Sequence, residues 1–167
     1  MNFTAIDFET ANYYRHSACA LGLVRVEAGR IVEKRAMLIR PPDRWFKFTH
    51  IHGLTWDHVK DAPTFKELWP EIEPMITAGD FLAAHNASFD RSVLTNTCRF
   101  YGITPPEVEF RCTVQIARRE LGIYPTKLPD VCRRLNIRLE QHHEALSDAL
   151  ACAEIILHAS GARRAPC

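Results

Sequence analysis

The sequence of 167 residues lacks the features of a membrane or exported protein. Its longest early apolar run is ACALGLV, which starts at Ala18, whereas a membrane-spanning helix needs about 20 apolar residues. The first ten residues contain Asp7 and Glu9 and no basic side chain, unlike a secretory signal peptide. We therefore expect a cytoplasmic protein that does not enter a membrane.

Strong net charge and paired cysteines are absent as well. The net charge is only +1, so no global field attracts a polyanion, and any affinity for one must be local. The six cysteines are scattered and form no CxxC pair, which argues against a structural zinc site. Their even number would allow disulfides. Without an export signal, however, reduced thiols packed as small apolar side chains are the favoured interpretation.

No repeat, low-complexity tract or linker divides the chain, so we predict one domain, residues 1–160, followed by a short tail, residues 161–167. Short apolar runs predict five strands, within 3–8, 18–27, 30–42, 80–84 and 108–112. Helical periodicity and end signals predict helices over 64–76, 88–102, 113–122, 127–136 and 144–159. We expect Ser88 to cap the second of these helices, and Pro70 and Pro74 to kink or shorten the first.

The order of these elements predicts an α/β domain. Three consecutive strands can pair as an antiparallel meander, whereas the later strands need helical crossovers and so pair in parallel. The expected architecture is a mixed five-stranded sheet flanked by helices.

Two carboxylates end the first predicted strand. Asp7 and Glu9 are two residues apart, so they point to the same face of the strand. Neighbouring carboxylates repel and raise one another's pKa. The strand end could simply emerge into water, with both acids solvated, or the acids could have a chemical purpose.

Two further acids lie at element ends. Asp90 falls in the first turn of a helix that follows His85 and Asn86, and Asp148 falls near the start of the last helix, five residues after His143. Each has an ordinary explanation, because a helix N-terminus stabilises a carboxylate by about 0.3–1 kcal/mol. If all four acids converge, divalent metal would relieve their repulsion, and oxygen ligands favour Mg²⁺ or Mn²⁺. Two such ions can promote a phosphodiester displacement, with a histidine accepting the proton of the attacking water.

The segments DFET (from Asp7), HNASFD (ending at Asp90) and HHEALSDA (around Asp148) resemble the three motifs of the DEDD family of 3′–5′ exonucleases. This family includes the epsilon exonuclease of bacterial DNA polymerase III, ribonuclease T and oligoribonuclease. The resemblance spans nearly the whole chain and implies a ribonuclease-H-like fold. It also implies that four acids bind two Mg²⁺ or Mn²⁺ ions and are catalytic together with a histidine base: Asp7, Glu9, Asp90, Asp148 and His143.

Position 144 is Glu, where one branch of the family has tyrosine, so the chain is similar to the histidine branch. The family spacing favours His143 over His142 as the base and leaves His142 as a solvated or packing residue. The resemblance further implies substrate contacts from residues that flank the metal ligands or form the segment IHGLT: Phe8, Thr10, His52, Leu54, His85 and Asn86. For that segment, a helix-entry loop capped by Thr55 is an equally good interpretation.

The resemblance implies hydrolysis from the 3′ ends of single-stranded nucleic acid or 3′ overhangs, releasing nucleoside 5′-monophosphates, with DNA preferred over RNA. A polymerase partner is possible but not indicated. Two alternatives are a catalytically inactive binding module of the same fold and an unrelated hydrolase with a cysteine nucleophile. No stretch interleaves basic and aromatic residues along a clear track. Trp45, Phe46 and Phe48 could stack bases or fill the core, and two arginine pairs could contact phosphates or be solvated: Arg118–Arg119 and Arg133–Arg134.

Overall fold

A computed structural model describes residues 1–161; six of the seven residues of the expected tail lie outside this range. Its sheet has five strands in the order β3-β2-β1-β4-β5. Strands β1, β2 and β3 pair antiparallel, whereas β4 is parallel to β1 and β5 is parallel to β4. The predicted mixed α/β sheet is confirmed. The strands are β1 (Phe3–Thr10), β2 (Ala18–Glu27), β3 (Arg30–Leu38), β4 (Phe81–Ala84) and β5 (Phe110–Cys112).

Seven helices occur among the described residues. Two short ones, α1 and α2, lie in the segment between β3 and α3, where the sequence pattern predicted no regular element. Thr55 caps α2, and its capping box includes the His58 side chain. The helices are α1 (Thr49–His52), α2 (Trp56–Val59), α3 (Phe65–Thr77), α4 (Ala87–Phe100), α5 (Thr113–Arg119), α6 (Leu128–Leu135) and α7 (Ala145–Ala159).

The two faces of the sheet are covered by different helices. Ile6 and Phe8 of β1 belong to a core cluster that includes the apolar residues of α3 and α4. Phe3 and Ala5 point to the opposite face, where they pack with α7. Since side chains alternate along a strand, Asp7 and Glu9 continue the face that α7 covers. The register of β1 thus directs both acids toward the N-terminus of α7.

The expectation that Pro70 and Pro74 would shorten α3 was wrong, because the helix runs through both. They lie four residues apart and both are exposed. Water can therefore satisfy the carbonyls that lose a helical donor, while Leu68 and Ile72 keep the opposite face in the core. The Thr64 capping box is present as predicted: the Thr64 hydroxyl accepts from Glu67 N–H at 3.3 Å.

The cap of α4 also differs from the prediction. Asn86, not Ser88, is the N-cap, with a left-handed φ of 71°, a conformation that asparagine tolerates better than most residues. The connection from β4 is only two residues long, so the helix starts earlier than expected and Ser88 lies in its first turn.

The thiols of Cys19, Cys98, Cys112, Cys132 and Cys152 are free, as the favoured interpretation expected; Cys167 lies outside the described residues. Within residues 1–161, no helix has the length and apolar character of a bilayer-spanning segment.

Candidate functional site

A glycine on β2 allows the N-terminus of α7 to approach the acids of β1. Gly22 pairs with Asp7 across the sheet, and a Cβ atom at this position would lie 2.2 Å from the Ala145 carbonyl oxygen. The helix therefore rests on bare backbone at this point. Its first turn carries Asp148, whose carboxylate meets those of Asp7 and Glu9 with ligand oxygens within 4.8 Å of one another.

The fourth acid is held against the same strand. Asp90, in the first turn of α4, is 2% exposed. Its Oδ1 atom accepts a hydrogen bond of 3.0 Å from the backbone N–H of Phe8, the residue between Asp7 and Glu9. The structure therefore brings all four predicted acids to one place, from three separate elements.

Burial and mutual repulsion dominate the electrostatics of this acid cluster. Burial, followed by the charges of Asp148 and Asp90, raises the pKa of Glu9 to about 8. Burial raises the pKa of Asp90 to about 7, although its backbone hydrogen bonds oppose the rise. The pKa of Asp7 is also raised well above its ordinary value, first by burial and then by the charge of Asp90.

Few protein groups compensate the negative charge of this cluster. Among residues 1–161, no Lys or Arg forms an ion pair with the four acids, and the carboxylates of Asp7 and Glu9 accept no hydrogen bond. Carboxylates in such a setting are suited to divalent cations that prefer oxygen ligands. The donor set therefore fits Mg²⁺ or Mn²⁺.

Two histidines meet Asp148 at the edge of the cluster. His142 Nδ1 lies 2.9 Å from Asp148 Oδ2, so the expectation that His142 is merely solvated or packing was wrong. The backbone N–H of His143 donates to the same oxygen at 3.0 Å, and the two imidazole rings stack with centroids 3.7 Å apart. The reason is local geometry: the left-handed φ of 66° at His143 lets one residue bind Asp148 through its side chain and the next through its backbone.

The His143 ring has different surroundings from the His142 ring. Among the described residues, no protein group forms a hydrogen bond with its ring nitrogens. Burial lowers the pKa of His143, the neighbouring His142 lowers it further, and Asp148 opposes both effects. An imidazole with a lowered pKa is neutral near pH 7 and can accept a proton.

The acid cluster opens into a cavity of about 1040 Å³. Of the predicted substrate-contacting residues, Phe8, Thr10, His52, His85 and Asn86 line it. Leu54 is not among the lining residues, so its contact with substrate stays a prediction. Leu54 instead packs against a small buried cluster near α2, because the turn after α1 directs its backbone N–H to His52 Nδ1 at 3.0 Å.

The ring nitrogens of His52 and His85, two of the four histidines that line the cavity, are already engaged. His85 contacts the Thr113 hydroxyl through Nδ1 and the Thr126 carbonyl through Nε2, both at 2.8 Å. His52 Nε2 lies 3.1 Å from the Thr10 carbonyl. Burial is the largest cause that lowers the pKa of both rings. These rings shape the wall and are not free to bind a ligand through a ring nitrogen.

Phe48 and Ile51, from the segments considered for base stacking and for nucleotide contacts, supply apolar wall. The sequence patterns missed Phe89, which also lines the cavity, and Lys127, the single Lys or Arg among the described lining residues. The proline-containing stretch YPTKLP, residues 124–129, was the available signal for a loop there, but nothing in it pointed toward the acids.

Comparison with known proteins identifies the class. Residues 4–156 match the family described as Exonuclease, and the chain belongs to this family. The predicted resemblance to the DEDD exonucleases is thereby confirmed. The DNA polymerase III PolC-type protein of Clostridium perfringens is 30% identical over 163 residues, which cover 92% of this chain and 11% of that protein. The Bacillus subtilis PolC-type protein is 33% identical over 145 residues, 82% of this chain and 10% of that protein. The chain thus spans about a tenth of the length of these relatives.

Solved structures show the same fold. Exonuclease X in complex with 5′-overhanging duplex DNA superposes with a TM-score of 0.78 at 24% identity, covering 98% of this chain and 94% of that one. A 3′-exonuclease that recognises the 3′ end of a histone mRNA stem-loop has a TM-score of 0.82 at 16% identity, covering 97% and 82%. The ribonuclease-H-like fold is confirmed.

Proposed function

We propose that this domain is a metal-dependent 3′–5′ exonuclease of the histidine branch of its family. The observation that supports this most directly is the convergence of Asp7, Glu9, Asp90 and Asp148, three of which line an open cavity, with carboxylates that form no ion pair with a Lys or Arg of residues 1–161. The substrate we propose is the 3′ end of single-stranded nucleic acid or a 3′ overhang, and the product is a nucleoside 5′-monophosphate.

In this proposal the four acids hold two Mg²⁺ or Mn²⁺ ions. When bound, such ions neutralise the acid cluster and stabilise negative charge on the attacking and leaving oxygens of a phosphodiester. Asp90 is kept in place by the Phe8 backbone N–H, and Asp148 by His142 and the His143 backbone N–H. These hydrogen bonds fix the positions of both carboxylates, whether or not metal ions are bound.

His143 is the proposed general base. Its lowered pKa keeps the ring neutral at physiological pH, and its ring nitrogens are not engaged by described protein groups, so it can take the proton from the attacking water. His142 is the competing candidate. Because its Nδ1 already contacts Asp148, we assign it to positioning that carboxylate.

DNA is the proposed preferred substrate, because the curated relatives are named as DNA polymerases. The experiment below therefore compares DNA with RNA. The inactive-module alternative is disfavoured because all five proposed catalytic residues are present, and all of them line the cavity except Asp90, which is held by the Phe8 N–H. The cysteine-nucleophile alternative is disfavoured because no described cysteine lines the cavity and burial raises the pKa of Cys132 to about 11.

The test uses 5′-labelled single-stranded DNA and RNA of the same sequence, with Mg²⁺, Mn²⁺ or EDTA. We expect stepwise shortening from the 3′ end that requires metal and is lost in Asp148→Asn. Asp57→Asn is the matched control, since this aspartate has a side chain 83% exposed and lies outside the cavity. Internal cleavage, activity in EDTA or activity of Asp148→Asn equal to the wild type would refute the proposal.

A further inference from the structure

Exposed aromatic side chains cluster beside the cavity mouth, on the loop between β1 and β2 and on residues 44–48. Tyr13 is 64% exposed, Tyr14 56% and Trp45 47%. Monomeric proteins rarely expose contiguous apolar surface without a ligand or partner for it. We call this set the aromatic surface: Tyr13, Tyr14, His16, Trp45, Phe48 and Phe100.

The rings form a continuous series. Phe48 meets Tyr13 with centroids 5.0 Å apart, and Tyr13 meets Trp45 at 6.0 Å. Trp45 meets Tyr14 at 6.2 Å. Beyond it, His16 stacks on Tyr14 at 5.4 Å and on Phe100 at 4.5 Å. The series begins at the cavity, because Phe48 lines it.

Backbone hydrogen bonds fix the two segments to each other. The Ala11 carbonyl accepts from the N–H groups of Lys47 and Phe48, at 2.7 and 3.2 Å. The Asn12 side-chain amide donates to the Trp45 carbonyl at 2.9 Å, and its oxygen accepts from the Tyr14 N–H at 2.9 Å. These hydrogen bonds hold the exposed rings in fixed positions, so the surface is preorganised for binding a ligand.

The charges near the rings are mainly positive. Residues 11–17 and 44–48 contribute Arg15, Arg44 and Lys47 and no acid, whereas the adjoining Asp43 accepts a hydrogen bond from the Trp45 N–H at 2.9 Å. The Arg15 guanidinium lies 4.7 Å from the ring centroid of Phe89, which lines the cavity. Aromatic faces combined with cations are the chemistry that binds single-stranded nucleic acid. Residues 44–48 carry this combination by themselves, and Tyr13, Tyr14 and Arg15 extend it from the loop between β1 and β2.

We propose that the aromatic surface stacks the bases of unpaired nucleotides that precede the 3′-terminal nucleotide, while Arg15, Arg44 and Lys47 face their phosphates. The assignment rests on the proposed function for the identity of the terminal nucleotide's site. It predicts that a substrate needs several unpaired nucleotides for full affinity, with little base preference, because every base has a stacking face.

The test compares Tyr14→Leu with Tyr14→Phe. Leucine keeps an apolar side chain but removes the ring, whereas phenylalanine keeps the ring. The backbone hydrogen bonds of Tyr14 survive both changes. Binding of a 5′-fluorescein-labelled 12-nucleotide oligothymidylate is measured by anisotropy in EDTA, where metal-dependent hydrolysis does not occur. Tyr13→Leu is a second ring deletion, and Val32→Ala, at a residue 55% exposed on β3, is the surface control.

We expect Tyr14→Leu and Tyr13→Leu each to weaken binding by about 5- to 150-fold, the range for the loss of one stacked base. Tyr14→Phe and Val32→Ala should bind as the wild type does. With Mg²⁺ present, the ring deletions should raise the KM for the 12-mer and lower kcat/KM for a thymidine dinucleotide much less, since the dinucleotide has only one nucleotide before its 3′-terminal one.

Equal binding by wild type and both leucine variants would overturn the proposal and indicate a protein-binding surface instead. An equal loss on the 12-mer and the dinucleotide would also overturn it, because that result indicates a general disturbance. If wild type cleaves nothing while the leucine variants still lose affinity in EDTA, the aromatic surface stands and the proposed exonuclease activity fails.

Discussion

Replacing Gly22 by alanine should move Asp148 away from Asp7 and Glu9 without changing any of the four acids. The added Cβ would lie 2.2 Å from the oxygen and 2.3 Å from the carbon of the Ala145 carbonyl, and 2.6 Å from the Leu146 nitrogen. All three are backbone atoms, so no side chain can rotate away. Because real Cβ atoms essentially never approach closer than 3.0 Å, the N-terminus of α7 must retreat by about 1 Å, and Asp148 moves with it.

Two effects of different size follow. Overpacking of this kind costs about 1–3 kcal/mol of stability. A displacement of about 1 Å at a reacting centre can cost about 10²-fold in rate, and two bridged ions tolerate little change in the spacing of their ligands. We therefore expect Gly22→Ala to fold, to lose about 10²-fold in kcat and to require more Mn²⁺, measured by titration of activity at a temperature well below its Tm.

Gly79→Ala separates the two effects. A Cβ at Gly79 would lie 2.8 Å from the Phe3 Cα and 2.6 Å from an Arg25 nitrogen, so this variant is also overpacked. Gly79 lies beside Phe3, at the end of β1 away from the acids. The Gly79→Ala variant should therefore lose stability and keep its kcat. Wild-type kcat and Mn²⁺ dependence in folded Gly22→Ala would refute the argument, as would an equal loss of kcat in Gly79→Ala.

Further predictions concern protons, the two histidines and a helix cap. The pKa values of Glu9 and Asp90, about 8 and 7, exceed the ordinary values of 4.5 and 3.8, so the folded metal-free protein keeps protons that the unfolded chain releases. Its free energy of unfolding should fall as pH rises from about 5 to 8, by up to about 1.4 kcal/mol per pH unit for each such proton. Bound Mn²⁺ should remove this pH dependence. Denaturant titrations at several pH values, in EDTA and in Mn²⁺, measure the free energy of unfolding in both states. A free energy of unfolding that does not change with pH in EDTA would contradict the raised pKa values of these acids. At saturating Mn²⁺, His143→Ala should lower kcat by about 10²–10⁴-fold, and the wild-type rate should rise with a midpoint below pH 6.5, since the pKa of His143 is lowered. His142→Ala should instead weaken Mn²⁺ affinity by about 10- to 100-fold, and the reverse pattern in the two variants would exchange their roles. Thr64→Ala should cost about 1 kcal/mol of stability through the lost cap, with kcat unchanged.

The parts of this protein that the sequence predicted correctly are those with local signatures. The mixed pairing of the sheet follows from three apolar runs with short connections and later runs separated by helical patterns, and the Thr64 capping box needs only neighbours three residues apart. The acids could be proposed from element ends because the ends of adjacent parallel strands and the helices that follow them gather at one edge of an open sheet. For the same reason, the resemblance rested on short segments around Asp7, Asp90 and Asp148.

Features that depend on contacts between segments distant in the sequence could not be predicted from local patterns. The choice between His142 and His143 depends on a left-handed backbone at one position, which no spacing rule indicates for histidine. Lys127 reaches the cavity because His85 holds the preceding carbonyl, that of Thr126, at 2.8 Å, a contact across 41 residues. The aromatic surface combines two loop segments about 30 residues apart with Phe100 of α4, so the stretch RWFKF by itself indicates only part of it.

The four acids are not equivalent, and the difference explains how the fold can hold them together. Asp90 and Asp148 receive backbone N–H groups from Phe8 and His143, so part of their lost hydration is replaced by the protein. Asp7 and Glu9 receive no hydrogen bond from the described residues, yet they stand side by side on the same face of β1. Extended backbone and a well-packed core keep them there, since moving either would disturb the pairing with β2. The fold therefore gives two acids backbone donors and gives Asp7 and Glu9 none. Since the pKa of Asp90 is raised as well, protons or metal must neutralise the cluster as a whole, and metal binding releases protons from it.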